Sequence, residues 1–435
     1  MNQALFQSLI LESQRRTLPD YARRDLDVPS IASSATAIVG NRRCGKTYRT
    51  YQFCRELLDA GTKPEQICRI QFNDLRLRAI DTDTLLLIDQ SYYALYPSFR
   101  DESTVYFIFD EIHRIRDWEL YVLQLLDNQH HRVLVTGSTS KILTGNIASG
   151  LRGKCLTSNL LCFSFREYLR YHAIEPETVS PKGQAYCRNA FRNYMDDGGF
   201  AGAYALDPFQ KTELLQTYWE TMLMRDVLEA HPADALHIEM LLFVSQALIS
   251  RVGCPMTLSK VRENARLAGL SFADDVPARI LRYLEEAFAL YTVPFFSRSE
   301  RVRNRRYQKV YACDWALAHS VGLAGVLDDA RLFENCVFLE LKRRRNRLYY
   351  YQTKKGHEVD FVAVPRDNSP PKLVQVCHTL TEDSRRREIR PIGEAGRMLG
   401  ISEVVVVTMD EEESLNIDGI GVRVVPAWKW FLECT

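Results

Sequence analysis

Eight consecutive residues, Gly40-Asn41-Arg42-Arg43-Cys44-Gly45-Lys46-Thr47, constrain the fold of this chain more than any other stretch. They fit G-x-x-x-x-G-K-[ST] and follow a short apolar run, ATAIV at 35–39. Helical periodicity then runs from about Lys46 to Ala60, and Gly61 closes it as a C-cap. Strand, glycine turn and helix in that order bring backbone N–H groups and a helix N-terminus to one point, which suits a phosphate. Gly40 and Gly45 let the loop curl with no Cβ in the way. Lys46 is placed to reach the β- and γ-phosphates of a nucleoside triphosphate, and Thr47 to offer its hydroxyl to Mg²⁺. The expected nucleotide-binding residues are therefore Gly40, Asn41, Arg42, Arg43, Cys44, Gly45, Lys46, Thr47 and Tyr48.

A second motif completes the first. The apolar run Val105-Tyr106-Phe107-Ile108-Phe109 ends in Asp110-Glu111, two acids at the carboxyl end of a strand. Asp110 is suited to hold Mg²⁺ through a water. Glu111 is suited to orient or deprotonate the attacking water. After the next apolar run comes Thr136-Gly137-Ser138-Thr139-Ser140. Ser138, with Thr136 next, is the candidate to hydrogen-bond that water or the γ-phosphate; a plain Ser/Thr-rich turn stays open. Arg152 and Lys154 are candidates for a cation that completes a neighbouring subunit's site, with a solvated basic loop as the alternative. The expected catalytic set is Lys46, Glu111, Ser138 and Arg152, the metal set is Thr47 and Asp110, and the cofactors are ATP and Mg²⁺.

Strand-like runs recur at 67–72, 85–88, 105–109 and 133–135, with helical segments between several of them. This alternation predicts an α/β domain over about 1–165, with a parallel sheet covered on both faces. From 166 to 310 the pattern turns helical, near 166–172, 184–195, 209–230 and 236–251, and Asp196-Asp197-Gly198-Gly199 interrupts it. Thr257 is a candidate N-cap for a helix through Ala268, and Ser271 precedes another ending near Ala289. Runs at 290–296 and 307–312 then flank a basic turn, the order of a winged helix–turn–helix. The remainder, 311–435, reads as a mixed α/β domain, with a helix over Leu332–Leu341 and strands at 347–352, 358–364, 373–377, 403–407 and 421–425.

Several classes are excluded. Eleven scattered cysteines with no Cys-x-x-Cys pair fit reduced thiols, not a disulfide scaffold or a zinc site. No apolar run approaches a membrane span, and the N-terminus lacks a signal peptide, so the expected location is cytoplasmic. The net charge is only +1, yet cations cluster at Arg298, Arg301, Arg303, Arg305, Arg306 and Lys309, and again at Lys342, Arg343, Arg344, Arg345 and Arg347. The clusters at 298–309 and 342–347 are candidate contacts to duplex DNA, with solvated basic faces as the alternative. Asp274, Asp275, Glu285 and Glu286 argue against deep groove entry by the helix at 274–289.

Taken together, GNRRCGKT, FNDLRL at 72–77, FIFDEIHRIRDW at 107–118, VLVTGSTS at 133–140 and FSFREYL at 163–169 resemble a prokaryotic AAA+-type ATPase family. The family is similar to the signal-transduction ATPases with numerous domains and to the archaeal ATPases related to them. The resemblance continues through GGFAGA at 198–203, MRDV at 224–227, KVYACDWAL at 309–317, FENCVFLELKRR at 333–344, GHEVDF at 356–361 and VQVC at 374–377. It implies adenine as the base, a homo-oligomer, and a C-terminal domain similar to a restriction-endonuclease-type fold. Such nuclease folds use a helix-borne acid, a strand Asp and Glu/Gln-x-Lys. Here the candidates are Glu334 or Glu340, then Asp360, then Gln375-Val376-Cys377, with a thiol at the lysine position. Lys354 or Lys355 could substitute, but the expectation is a non-cleaving domain. Three functions follow as expectations: an ATP-driven oligomeric motor that remodels or moves on nucleic acid, a nucleotide-dependent switch acting on a protein partner, and an ATP-regulated nuclease.

Overall fold

Alternating strands and helices over the first third of the chain build one compact unit, residues 1–160 with 286–288, and the rest builds a second, 161–285 with 289–435. The computed structural model describes residues 3–78, 80–138, 151, 153–234, 236–297, 299–305, 307–323, 325–417 and 419–433.

In the first unit, strands β1 (Ala35–Val39), β2 (Ile67–Gln71), β3 (Val105–Asp110), β4 (His131–Gly137) and β5 (Cys155–Asn159) form a sheet of order β2-β3-β4-β1-β5. Every pairing is parallel. Parallel neighbours need crossovers, and helices Lys46–Asp59, Thr82–Leu95 and Trp118–Leu126 supply them. All five residues of β1 are buried, as a strand covered on both faces requires. This is the α/β, P-loop NTPase class of fold expected from the sequence, with further helical and sheet parts behind it. The order sets β4 between β1 and β3, pairing Ile38 with Thr136 and Phe109 with Val135. The carboxyl ends of β1 and β3 therefore flank Thr136.

One expected strand is a helix. The run 85–88 lies inside Thr82–Leu95, where the Asp81 carboxylate accepts the Thr84 N–H at 2.9 Å. Leu85, Ile88 and Tyr92 are buried at three- and four-residue spacing. A four-residue apolar run alone cannot distinguish that period from a buried strand. The helix Gln3–Arg15 was not anticipated either; Phe6 and Ile10 are its buried anchors.

The second unit opens with helices Phe165–Tyr171, Pro181–Asp197 and Pro208–Thr221, the last continuing as a π-helical turn over Met222–Leu228. Helix Ile238–Ile249 leads to strand β6 (Pro255–Met256) and helices Leu258–Leu267 and Val276–Glu286. The last of these starts five residues beyond Ser271, the expected start. Strands β7 (Leu290–Val293) and β8 (Gln308–Ala312) join β6 in an antiparallel sheet of order β6-β8-β7. The basic turn between β7 and β8 carries a short helix, Glu300–Arg305. The expected domain limit at 310 falls inside β8.

Helices Trp315–Val321 and Asp329–Arg343 precede six strands: β9 (Asn346–Gln352), β10 (Glu358–Pro365), β11 (Lys372–Cys377), β12 (Glu403–Thr408), β13 (Glu413–Ile417) and β14 (Ile420–Pro426). Their order is β13-β14-β12-β11-β10-β9. The β11, β12 and β14 strands are parallel and the outer ones antiparallel. Helix Glu382–Leu399 packs Ile389, Ile392 and Ala395 on Val359, Leu373, Val404 and Val424. The edge strand β13, ESLNI, alternates half-buried with exposed residues, too polar a run to announce itself.

Two of the resemblance motifs meet in this unit. Asp314, fully buried, caps helix Trp315–Val321 by accepting the Leu317 N–H at 2.9 Å, and its other oxygen accepts the Gly199 N–H at 2.6 Å. CDWAL and GGFAGA are thus one hydrogen-bonded corner.

Candidate nucleotide site

The chain leaves β1 at Val39 into a turn that only glycine permits at its first position. A Cβ on Gly40 would lie 2.2 Å from the Leu160 carbonyl oxygen. Gly45 takes φ 99, immediately before helix Lys46–Asp59. Lys46 opens that helix and is buried, and its Nζ donates to the carbonyls of Gly40 and Asn41, both at 3.0 Å. The segment before β1 clasps the loop. Arg24 Nη1 donates to the Cys44 carbonyl at 2.6 Å, and Gln52 holds the Arg24 backbone through both its N–H (2.8 Å) and its carbonyl (3.0 Å). Asn41 and Cys44 are buried, Arg42 is half-buried and Arg43 exposed. Tyr48 is exposed and meets Tyr51 edge-on.

Asp110 ends β3 fully buried. Its Oδ1 accepts from Thr136 Oγ1 at 2.6 Å and its Oδ2 from Arg69 Nη2 at 3.1 Å. Arg69 projects from β2, is itself buried, donates through Nε to Thr50 Oγ1 at 3.2 Å, and sets its guanidinium 4.3 Å from the Tyr51 ring centre. Thr50 in turn donates to the Thr47 carbonyl at 2.7 Å. Thr47, Thr50, Arg69 and Asp110 therefore form one hydrogen-bonded line between the loop helix and the acid. Sequence reasoning missed Arg69. Its signal was a cation inside the apolar run ICRIQF, where a buried charge requires a partner.

Glu111 follows in the left-handed region (φ 62, ψ 33), a conformation that costs a non-glycine residue about 1 kcal/mol. Its N–H donates to Thr136 Oγ1 at 2.9 Å. One hydroxyl thus donates to Asp110 and accepts from Glu111. The Glu111 carboxylate lies 3.7 Å from His113 Nε2, which is 3.4 Å from Ser138 Oγ. Burial pushes the Glu111 carboxyl up, but Lys46, His113, Arg42 and Arg114 outweigh it, so its pKa lies below the usual carboxylate range. Of the two hydroxyls considered, Thr136 joins the acids and Ser138 sits beside His113. Thr139, Ser140 and Arg152 lie outside the described residues. Lys154 is half-buried, with Nζ 3.8 Å from Asp127.

The oxygen donors suit a hard cation. The Thr47 hydroxyl has no hydrogen-bond partner among the described residues, and each Asp110 oxygen keeps one acceptor position. No group of three or more His, Cys, Asp or Glu among the described residues is placed to hold a metal. The set therefore fits a Mg²⁺ that arrives with phosphates and keeps waters, not an all-protein cage.

In the second unit, the basic blocks are less available than their sequence suggests. Lys309 is fully buried among acids. Arg343 and Arg344 both pair with Glu340, at 2.8 and 2.9 Å, and donate to the carbonyls of Cys162 and Trp430. Lys342 packs 4.2 Å over the Tyr291 ring, and burial followed by the field of Arg366 brings its pKa down to about 8. Arg301, Arg345 and Arg347 are exposed and Arg303 half-buried; Arg298 and Arg306 lie outside the described residues. Glu340, engaged by two arginines, is separate from the acids around Lys309. Lys354 and Lys355 are exposed, and Lys355 pairs with Glu394. Among the described residues no helix is long and apolar enough to cross a membrane.

A parallel sheet of this order with a glycine loop behind its first strand defines a P-loop NTPase fold. Residues 32–169 match the family model of an AAA domain. Residues 188–329 and 330–430 match two domains of unknown function, DUF8612 and DUF4143. The chain is similar along nearly its whole length to an uncharacterized protein of Methanocaldococcus jannaschii, 27% identical over 98% of this chain and 95% of that one. A similar protein of Haemophilus influenzae is 26% identical over 90% and 93%. A Walker-type ATPase of Pyrococcus abyssi overlaps 74% of this chain and 95% of its own, at 12% identity and a TM-score of 0.42.

Proposed function

We propose that this protein binds Mg–ATP in the loop Gly40–Thr47 and hydrolyses it with Glu111. The observation that carries this reading is the Thr136 hydroxyl, which ties Asp110 and Glu111 into one rigid pair at the strand ends beside the loop. Backbone N–H groups of 40–47 and Lys46 bind and orient the phosphates. Bound Mg²⁺, held by Thr47 and through water by Asp110, would neutralise charge on the phosphate oxygens. Glu111, kept anionic by the surrounding cations, takes the proton of the attacking water.

The output we favour is a nucleotide-dependent switch acting on a protein partner. Support comes from the second unit, where Lys309, Arg343 and Arg344 are engaged by acids and carbonyls and so are withdrawn from any phosphate backbone. An oligomeric AAA+-like motor on duplex DNA is the second reading, favoured by exposed Arg301, Arg345 and Arg347 and by the helix–strand order of residues 238–312, which we read as a winged helix–turn–helix. Steady-state ATP hydrolysis with and without duplex DNA separates them, with Lys46→Ala and Glu111→Gln as controls. Slow turnover indifferent to DNA fits the switch; stimulation by DNA with a steep salt dependence fits the motor. Full activity in both variants would refute the site itself.

A further inference from the structure

Three carboxylates of the second unit converge on one buried point, and a lysine holds that point. Glu334 comes from helix Asp329–Arg343, and Glu358 and Asp360 from β10. Lys309, from β8, places Nζ at 2.8 Å from Glu334, 2.6 Å from Glu358 and 3.3 Å from Asp360. Its side chain is 0% exposed. An ammonium carries three protons and here meets three oxygens. The remaining contacts fix the acids in place around it. Tyr311 OH donates to Glu334 at 2.6 Å, the Val376 N–H to Asp360 at 2.9 Å, and the Asp360 N–H to the Gln375 side chain at 3.3 Å.

As they stand around Lys309 these carboxylates are not placed to hold a metal, although carboxylate oxygens are the donors that a hard divalent cation takes. We propose that Lys309 is a built-in cation that takes a divalent metal's place in this acid set and closes it to metal. The distances suit N–H···O bonds and exceed the 2.0–2.1 Å of Mg²⁺ coordination. A second cation would have to enter a buried space beside a fixed positive charge. Burying the ammonium is tolerable only because it is paired on every side. The lysine also explains why Cys377, buried and donating to the Thr379 carbonyl at 3.2 Å, can stand where a nuclease lysine is expected: the cation of this site comes from β8 and neutralises the acids themselves. The consequence is a buried acid set neutralised from within and without metal chemistry.

The test is Mn²⁺ binding to the full-length, nucleotide-free protein, followed by electron paramagnetic resonance and thermal unfolding. Wild type is expected to bind no Mn²⁺ that Asp360→Asn removes. Lys309→Met is expected to bind one Mn²⁺ at least tenfold more tightly than wild type, to be restabilised by it, and to lose that ion on adding Asp360→Asn. Mn²⁺ bound by wild type and lost in Asp360→Asn would overturn the proposal, as would Lys309→Met binding no better than wild type. If Lys309→Met does not fold, Lys309→Gln, which keeps a polar partner for the acids but no charge, takes its place in the same comparison. Mn²⁺-dependent cleavage of DNA by wild type, lost in Asp360→Asn, would also overturn it.

Discussion

Arg69 and Asp110 form an ion pair buried on both sides, with Nη2 3.1 Å from Oδ2. Removing one partner strands the other charge in a low-dielectric interior. Arg69→Met should cost about 3–5 kcal/mol in chemical denaturation. The double variant Arg69→Met/Asp110→Asn should cost less than the sum of the two singles by about 1–3 kcal/mol. Strict additivity would show that the two side chains do not depend on each other.

Thr136 is the next point of leverage, since its hydroxyl serves both acids. Thr136→Val keeps the shape and removes the hydroxyl, leaving the Asp110 oxygen and the Glu111 N–H short of a partner. We expect a loss of about 1–3 kcal/mol in stability and a kcat lower by about 10²-fold, with ATP affinity changed little. Thr136→Ser should retain most of both. Ser138→Ala should have the smaller effect; the reverse ranking would return the assignment to Ser138.

Gly40→Ala tests the loop through sterics alone. With a Cβ 2.2 Å from the Leu160 carbonyl, the turn must open and displace both carbonyls that accept from Lys46. Binding of a fluorescent ATP analogue should fall by at least tenfold while the circular dichroism of the fold is kept. Unchanged binding would mean that the loop tolerates a different path.

The corner between Asp314 and Gly199 sets a pH dependence. Burial raises the Asp314 carboxyl to about 6 against a usual 3.8, although the N–H groups of Leu317, Gly199 and Ala316 pull it down. Between those values the folded chain holds a proton that the unfolded chain has released. Stability therefore falls as pH rises from about 4 to about 6, by up to about 3 kcal/mol. Asp314→Asn keeps an oxygen for the cap and should flatten that slope in denaturation series. A slope that persists in the variant would assign it to another group.

The loop, the two acids and most of the parallel sheet were legible because each depends on local order: an apolar strand, a glycine turn, a helix start. What stayed hidden depends on partners distant in sequence. Nothing near Lys309 announces Glu334, Glu358 and Asp360, so it read as one more cation of a basic turn. The same holds for Arg343 and Arg344, which Glu340 claims from one helical turn away, a spacing that could have been noticed. Arg69 was visible as an oddity in a strand, but not as the partner of Asp110. The run at 85–88 failed for a different reason: four apolar residues fit two periods equally well.

The ammonium of Lys46 already has two acceptors in the carbonyls of Gly40 and Asn41. A ligand therefore does not meet a bare charge; it must persuade the lysine to exchange one set of oxygens for another. A single phosphate offers little surplus over two carbonyls, each worth about 1 kcal/mol net. A β,γ-pair offers doubly charged acceptors on both sides of the side chain. On the proposed reading, the loop thus has a built-in entry threshold that grades nucleotides by the length of their phosphate chain, before any contact with the base is made.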